Sequence, residues 1–257
     1  MKTATISKTG DSYVLYDSDI IAEPGLQLFD SDYHTNMQSR QNNLAAAAAP
    51  ETTSAKSGIG RARVIYFSYD DRPLVLKHYY RGGLVASFLK DRYLGFNIEK
   101  TRAFKEWRLL KEMYALGLPV PQAAAAHVKK GLLTYTADLI TVEISDAETL
   151  ADILAESSIA AGQWKKIGQC IASFHRHDVF HADMNARNIL ISGEKADVYL
   201  IDFDNGGFRP NSNDWKMANL ARLKRSLLKF KRNSAGFNFE EADWSALLAG
   251  YKEGVAE

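Results

Sequence analysis

His181-Ala-Asp183-Met-Asn-Ala-Arg187-Asn188-Ile-Leu-Ile191, continued by Leu200-Ile-Asp202-Phe-Asp204, is the stretch that decides how this chain reads. Asn188 follows Asp183 by five residues, and Asp202 follows Asn188 by fourteen. Ile189-Leu-Ile191 reads as a short apolar strand and Gly193-Glu-Lys195 as a turn. Val198-Tyr-Leu-Ile201 is then a second strand, with Asp202 at its end. The plain alternative is a turn in which Asp and Asn bond nearby backbone. The ordered strand, turn, strand and carboxylate argue against it.

This is the layout of a kinase catalytic loop followed by a metal-binding Asp. One carboxylate, Asp183, would orient a hydroxyl and accept its proton. The Asn188 amide oxygen and the Asp202 carboxylate would hold Mg²⁺ against the phosphates of ATP. Asp204 reads as a further acid near the metal or as a turn former. Upstream, Gln163 to His177 carries Trp164, Ile167, Ile171 and Phe174 at helical spacing and leads into the loop. Cys170 and His175 on that helix read as core packing groups.

Towards the N-terminus, two strands around Tyr69-Asp-Asp-Arg-Pro73 predict a hairpin, and its second strand carries Lys77. A kinase places there the lysine that meets the α- and β-phosphates, and a helical carboxylate must pair with it. Thr101 to Leu116 is a strong helical pattern, and Glu106, near its middle, is the expected partner. Gly58 and Gly60 precede the hairpin and read as a phosphate-approaching loop or a plain turn. Residues 39–57 are Ala-rich, small and polar, and read as a flexible connector. Between Lys77 and the helix, Arg81-Gly-Gly opens an extra short helix. Arg81 reads as an anion contact or as part of a surface cover over the sheet edge. Residues 1–137 are expected to form a first lobe and 138–257 a second, with the linker at 137–141.

The tail carries the most polarised element. From Trp215 to Arg232 there are seven basic residues and no acid. Leu220, Leu223, Leu227 and Phe230 form one stripe, and Arg222, Arg225, Lys229 and Arg232 another about half a turn away. The stripe reads as a solvated face or as a surface for an anionic membrane. Nucleic acid is disfavoured, since no second basic stretch interleaved with aromatics exists. A net charge of +1 and one cysteine fit a reducing compartment and exclude an internal disulfide. No apolar signal core and no run of roughly 20 apolar residues is present. The expected place is therefore the cytoplasm or the cytoplasmic face of a membrane, with no protein partner inferred.

Together with Leu76-Lys77-His-Tyr-Tyr-Arg81-Gly-Gly and Trp215…Asn219-Leu-Ala-Arg222-Leu-Lys-Arg225, these motifs resemble the Kdo (3-deoxy-D-manno-octulosonic acid) kinase family of the lipopolysaccharide core kinases. The resemblance covers about residues 58–232. It implies an α/β (α+β) protein-kinase-like fold in two lobes, with an antiparallel N-lobe sheet and a shortened helical C-lobe. It implies ATP- and Mg²⁺-dependent phosphorylation of the 4-hydroxyl of a Kdo residue on a lipid A precursor, at the inner face of the bacterial inner membrane. By position, Asp183 would be the base, Asn188 and Asp202 the metal ligands, Lys77 the phosphate lysine and Glu106 its partner. An acceptor bearing carboxylate and phosphates gives Arg81, Arg187, Arg222 and Arg225 plausible contacts. Rival readings are a heptose or other small-molecule kinase of this fold, a membrane-docked pseudokinase, and protein kinase activity. The short stretch after Asp204 and the lack of an Ala-Pro-Glu motif argue against the last.

Overall fold

A computed structural model describes residues 4–30, 32–34, 64–80, 93–94 and 97–256. Gly58, Gly60, the 39–57 connector and the insertion with Arg81 lie outside the described residues. The chain divides into two compact units. One is Met1–Arg108 with Gln122–Glu143, the other Leu109–Pro121 with Ile144–Glu257.

The first unit is built on an antiparallel sheet. Its strands are β1 (Ala4–Thr9), β2 (Ser12–Asp17), β3 (Val64–Tyr69), β4 (Arg72–His78), β5 (Tyr93–Leu94), β6 (Ala123–Lys130) and β7 (Thr134–Val142). They run in the order β1-β2-β6-β7-β4-β3, with β5 on β7. The expected hairpin is β3–β4. Its turn residues Asp70 and Asp71 have φ of 49° and 58°. A two-residue type I′ turn needs both values positive, and Asp tolerates that region better than most residues. Along β4 the side chains alternate. Leu74 and Leu76 enter a core with Val14, Ile20, Ile21, Phe29 and Ile140, so Lys77 is delivered to the opposite face. Helix α1 (Arg102–Ala115) carries Glu106.

The expected linker at 137–141 is instead the middle of β7, which pairs with β6 on one side and β4 on the other. The division of the chain falls after Glu143, not at 138. In the sequence, Asp138 looks like a strand breaker. The fold accommodates it by placing His78 Nδ1 at 2.5 Å and His127 Nδ1 at 3.0 Å from its two carboxylate oxygens. Burial alone would push this carboxyl up, but the hydrogen bonds from His127 and His78 prevail and hold it below the usual range.

The second unit is mostly helical: α2 (Leu150–Glu156), α3 (Ala161–Arg176), α4 (Asn213–Asn233) and α5 (Glu241–Ala256). Two small antiparallel pieces join them. One has the order β11 (Asp197–Leu200), β10 (Ile189–Ser192), β8 (Ala147–Thr149); the other pairs β12 (Gly207–Phe208) with β9 (Val179–Phe180). Helix α3 buries Trp164, Ile167, Ile171 and Phe174, as the spacing predicts. It meets α5 almost backbone to backbone, and a Cβ on Gly168 or Gly250 would strike the carbonyl of Leu247 or Lys165. Burial pushes the Cys170 thiol up to about 12 and the His175 imidazole down to about 4, so both are neutral packing groups near pH 7.

Helix α4 begins at Ser212, whose hydroxyl accepts the Asp214 N–H. It buries Asn219, Leu220, Leu223 and Leu227, while Arg222, Arg225, Lys229 and Arg232 are exposed. Lys224 pairs with Glu241 at 2.5 Å and Lys231 with Glu240 at 2.7 Å. The cations of α4 therefore differ in kind: Lys224 and Lys231 are tied to the start of α5, while Arg222, Arg225, Lys229 and Arg232 lie on its exposed side.

Candidate active site

In the first unit, Lys77 Nζ donates to both carboxylate oxygens of Glu106, at 3.1 and 3.0 Å. Glu106 is only 3% exposed and Lys77 18%. The Tyr79 hydroxyl, two residues along the same face of the chain, donates to Glu106 Oε2 at 2.5 Å. Its ring lies 4.6 Å from the ammonium. The lysine head is thus fixed by two carboxylate contacts and a ring, with its tip left partly open. The fold brings Lys77 together with its expected partner Glu106, while Glu112 further along the helix is exposed.

In the second unit, the loop from His181 to Asn188 is held by hydrogen bonds that fix each functional atom. His181 is buried. Its Nδ1 accepts the Asp183 N–H at 3.1 Å, so Nε2 carries the proton and donates to the Ile201 carbonyl at 2.9 Å. Asn219 of α4 closes a reciprocal pair on the His181 backbone, accepting its N–H at 3.2 Å and donating to its carbonyl at 2.9 Å. The loop that presents Asp183 is therefore bound on one side to the strand end before Asp202 and on the other to α4.

The Asp183 carboxylate is 60% exposed. Arg222 Nη1 donates to its Oδ1 at 2.9 Å and Asn185 Nδ2 to its Oδ2 at 3.1 Å. Both oxygens are oriented, and each keeps a lone pair for a substrate hydroxyl. Arg187, expected inside the loop as a contact for the acceptor, has its guanidinium 5.4 Å from the Phe230 ring. Arg225 lies exposed on α4, three residues beyond Arg222.

Asn188 Nδ2 donates to the Asp183 carbonyl at 2.9 Å. That turns the amide so that its oxygen is the available acceptor end. Ile189 pairs with Leu200 in the β10–β11 ladder, and the Ile201 N–H donates to the Asn188 carbonyl at 3.0 Å. Asn188 and Asp202 therefore stand at the same end of one hairpin. Asp202 has φ of 63°, a left-handed conformation that costs roughly 1–3 kcal/mol for a residue other than glycine and concentrates at functional sites. An amide oxygen beside one carboxylate suits Mg²⁺, which takes oxygen ligands and relies on substrate phosphates and water for the remainder. Among the described residues no group of three or more His, Cys, Asp or Glu is placed to hold a metal ion by itself. Asp204 opens the turn closed by Gly206 N–H on the Phe203 carbonyl at 2.8 Å.

Three supporting residues were not anticipated. Asn219 carried a signal, a polar residue within the buried stripe of α4. Tyr79 and Asn185 gave none beyond their nearness to Lys77 and Asp183.

The lipopolysaccharide kinase (Kdo/WaaP) family matches residues 51–251. A 3-deoxy-D-manno-octulosonic acid kinase of Mannheimia succiniciproducens is 43% identical over 69% of this chain and 74% of its own length. The enzyme of that name from Vibrio vulnificus is 36% identical over 95% of this chain and 96% of its own. One from Haemophilus influenzae is 40% identical over 69% of the chain and 75% of its own. A solved structure described as WaaP in complex with acyl carrier protein shares the fold, with a TM-score of 0.51 and 16% identity over 90% of this chain and 87% of its own. With the family matching residues 51–251 and a relative aligned over most of both chains, the chain belongs to the lipopolysaccharide kinase (Kdo/WaaP) family.

Proposed function

We propose that this chain is an ATP- and Mg²⁺-dependent kinase that phosphorylates the 4-hydroxyl of a Kdo residue on a lipid A precursor, during assembly of the lipopolysaccharide core. The observation that carries this reading is the Asp183 carboxylate, exposed and oriented on both oxygens, with an arginine beside it. A base flanked by a guanidinium suits a sugar hydroxyl that comes with a carboxylate.

Asp183 orients the acceptor hydroxyl and takes its proton as the oxygen attacks the γ-phosphorus. Arg222 keeps donors beyond Nη1 for the acceptor's anionic group, and Arg225 extends the positive surface along α4. Arg187 is a further candidate for that carboxylate. Asn188 and Asp202 would hold Mg²⁺, whose chemistry here is to neutralise charge on the β- and γ-phosphates. Lys77, steadied by Glu106 and Tyr79, binds phosphate oxygens of ATP. Arg81, Gly58 and Gly60 remain candidates for acceptor and phosphate contacts. Because no described helix is long and apolar enough to cross a membrane, a lipid-anchored acceptor would be met at the inner membrane's cytoplasmic face by peripheral binding, to which the open cation row of α4 contributes.

The test is transfer of labelled γ-phosphate from ATP to a Kdo-bearing lipid A precursor, beside heptose-bearing core and an aminoglycoside, with Asp183→Ala as control. The expected result is label on the Kdo lipid alone, at the 4-position, lost in the variant. Label on heptose or the aminoglycoside keeps the kinase and removes the acceptor. Magnesium-ATP binding with no transfer to any acceptor turns the reading into that of a pseudokinase.

A further inference from the structure

Strands β6 and β7 end in a tight tip, Lys129-Lys130-Gly131-Leu132-Leu133-Thr134. Lys130 pairs with Tyr135 as the last rung, and the Gly131 N–H donates to the Thr134 carbonyl at 2.6 Å. The Lys130 N–H donates to the Asp11 carbonyl at 2.9 Å, tying the tip to the neighbouring β1–β2 turn. These two hydrogen bonds and the last rung fix the backbone on either side of the two leucines. Yet it carries two leucines where turn residues are expected. Leu132 is 92% exposed and Leu133 56%, the two highest values among large hydrophobics in the described residues. Single exposed leucines are ordinary; two adjacent ones at a projecting, hydrogen-bonded turn are not explained by packing.

The surroundings are basic. Lys8 Nζ and Lys130 Nζ lie 5.4 and 5.8 Å from the Tyr13 ring centroid. Lys129 is exposed one residue before Lys130. None of the three has an ion pair among the described residues, and Asp11 is the one acid of the adjoining turn. Apolar side chains at a tip with cations behind them match the layered chemistry of an anionic bilayer surface, where acyl chains lie under negatively charged headgroups.

We infer that the β6–β7 tip is a membrane-inserting contact, with Leu132 and Leu133 entering the acyl boundary and Lys8, Lys129 and Lys130 lying among anionic headgroups. The inference deepens the proposed function, resting on it only for the presence of a bilayer at the acceptor. It is separate from the cation row of α4, which has no comparable pair of leucines at a turn. Within the tip the leucines supply the apolar half of the contact and the lysines the charged half, since charge alone holds a protein at a surface without depth.

The experiment is binding of the full chain to vesicles of phosphatidylglycerol and phosphatidylcholine, followed by co-sedimentation. Two double variants are compared with the parent, Leu132→Ser with Leu133→Ser, and Lys129→Gln with Lys130→Gln. About a tenfold loss is expected for each leucine replaced. The lysine pair should lose several-fold and flatten the dependence on phosphatidylglycerol content. In a third variant, Leu132→Trp, the added indole emission should shift to the blue and be quenched by lipids brominated in the acyl chain. Unchanged vesicle binding by the leucine variant, or no quenching of the new indole, overturns the inference. So does binding lost to an acidic protein but not to vesicles. Thermal unfolding of each variant guards against a folding defect, and parent-like transfer to a water-soluble, deacylated Kdo acceptor is expected. Transfer lost in parallel with binding would make the tip structural and overturn the inference. If the parent transfers no phosphate to any Kdo acceptor but binds vesicles, and the leucine variant loses that binding, the proposed function falls and the tip stands.

Discussion

Two ion pairs of nearly equal length sit in the two units, and they are built for opposite purposes. Lys77 and Glu106 meet at 3.0 Å with exposures of 18% and 3%. Arg222 and Asp183 meet at 2.9 Å with exposures of 49% and 60%. In the first pair, water has been removed, so each charge depends on its partner and on the Tyr79 hydroxyl. In the second, water remains and screens the attraction, so the pair is worth at most about 1 kcal/mol. The buried pair fixes an atom in place whatever is bound. The exposed pair can exchange partners at little cost, as the role proposed for Asp183 requires. Geometry alone does not separate these roles; burial does.

The sharpest way to break the comparison is at its exposed member. Asp183→Asn keeps the shape and the hydrogen bond to Asn185 or Arg222 but removes the basic oxygen. Phosphate transfer should fall by roughly 10²–10⁴-fold, the usual share of a general base, while the urea midpoint moves little. A variant that turns over at the parental rate would remove Asp183 from the chemistry. The buried member should respond the other way. Glu106→Ala leaves the Lys77 ammonium in a site with little water, and the unfolding free energy should drop by about 3 kcal/mol in urea titration. A loss below about 1 kcal/mol would mean that solvent reaches Lys77 freely and that the two pairs are alike.

Burial also sets a pH dependence elsewhere in the second unit. His175 is buried, and its imidazole is pushed from 6.5 down to about 4, because the charged form cannot be solvated there. Its Nδ1 meets the Tyr251 hydroxyl at 2.9 Å. The folded state thus resists the proton that the unfolded chain accepts. Stability from this group is complete above pH 6.5 and is lost as pH falls from 6.5 towards 4, in total about 3 kcal/mol. Urea unfolding across that range should show the loss in the parent and a flatter profile in His175→Phe. Equal slopes for both would place the titration on another group.

What was legible in the sequence was local. The strand, turn and strand around Asp202 lie within about twenty residues of Asp183. Their order can be read without knowing any distant contact. The same holds for Lys77 on its hairpin and for the two stripes of α4, because side-chain periodicity of 2 or 3.6 is a property of the segment itself. The rest was set by contacts between distant positions. Asn219 lies 38 residues from His181, and Arg222 lies 39 from Asp183. The sequence offers several arginines for the acceptor's anionic groups, and only the docking of α4 places Arg222 on Asp183. The strand pairing of residues 137–141 is hidden for a related reason. A charge inside a strand argues for a break unless its partners are known, and His78 is 60 residues away. The β6–β7 tip is hidden in the sequence because Leu132 and Leu133 fit a strand pattern, and only the fold shows the strand to begin at Thr134.

The smallest effect on stability tests the exposed pair most finely. Arg222→Gln should change the unfolding free energy by less than about 1 kcal/mol, since the guanidinium is half in water and Asp183 keeps its Asn185 contact. Its kinetic signature should be larger and specific. If Arg222 trades part of its hold on Asp183 for the acceptor's carboxylate, the variant's KM for a soluble Kdo acceptor should rise about tenfold, the value of one charge-assisted hydrogen bond. The parent should show a similar penalty when the acceptor carboxylate is methyl-esterified, and the variant should show no further penalty with the ester. The two losses would then not add, as expected when both remove one interaction. If they add in full, Arg222 does not touch the carboxylate. A fall in kcat with unchanged KM would then mean that Arg222 acts only through Asp183, as a positioning residue for the base.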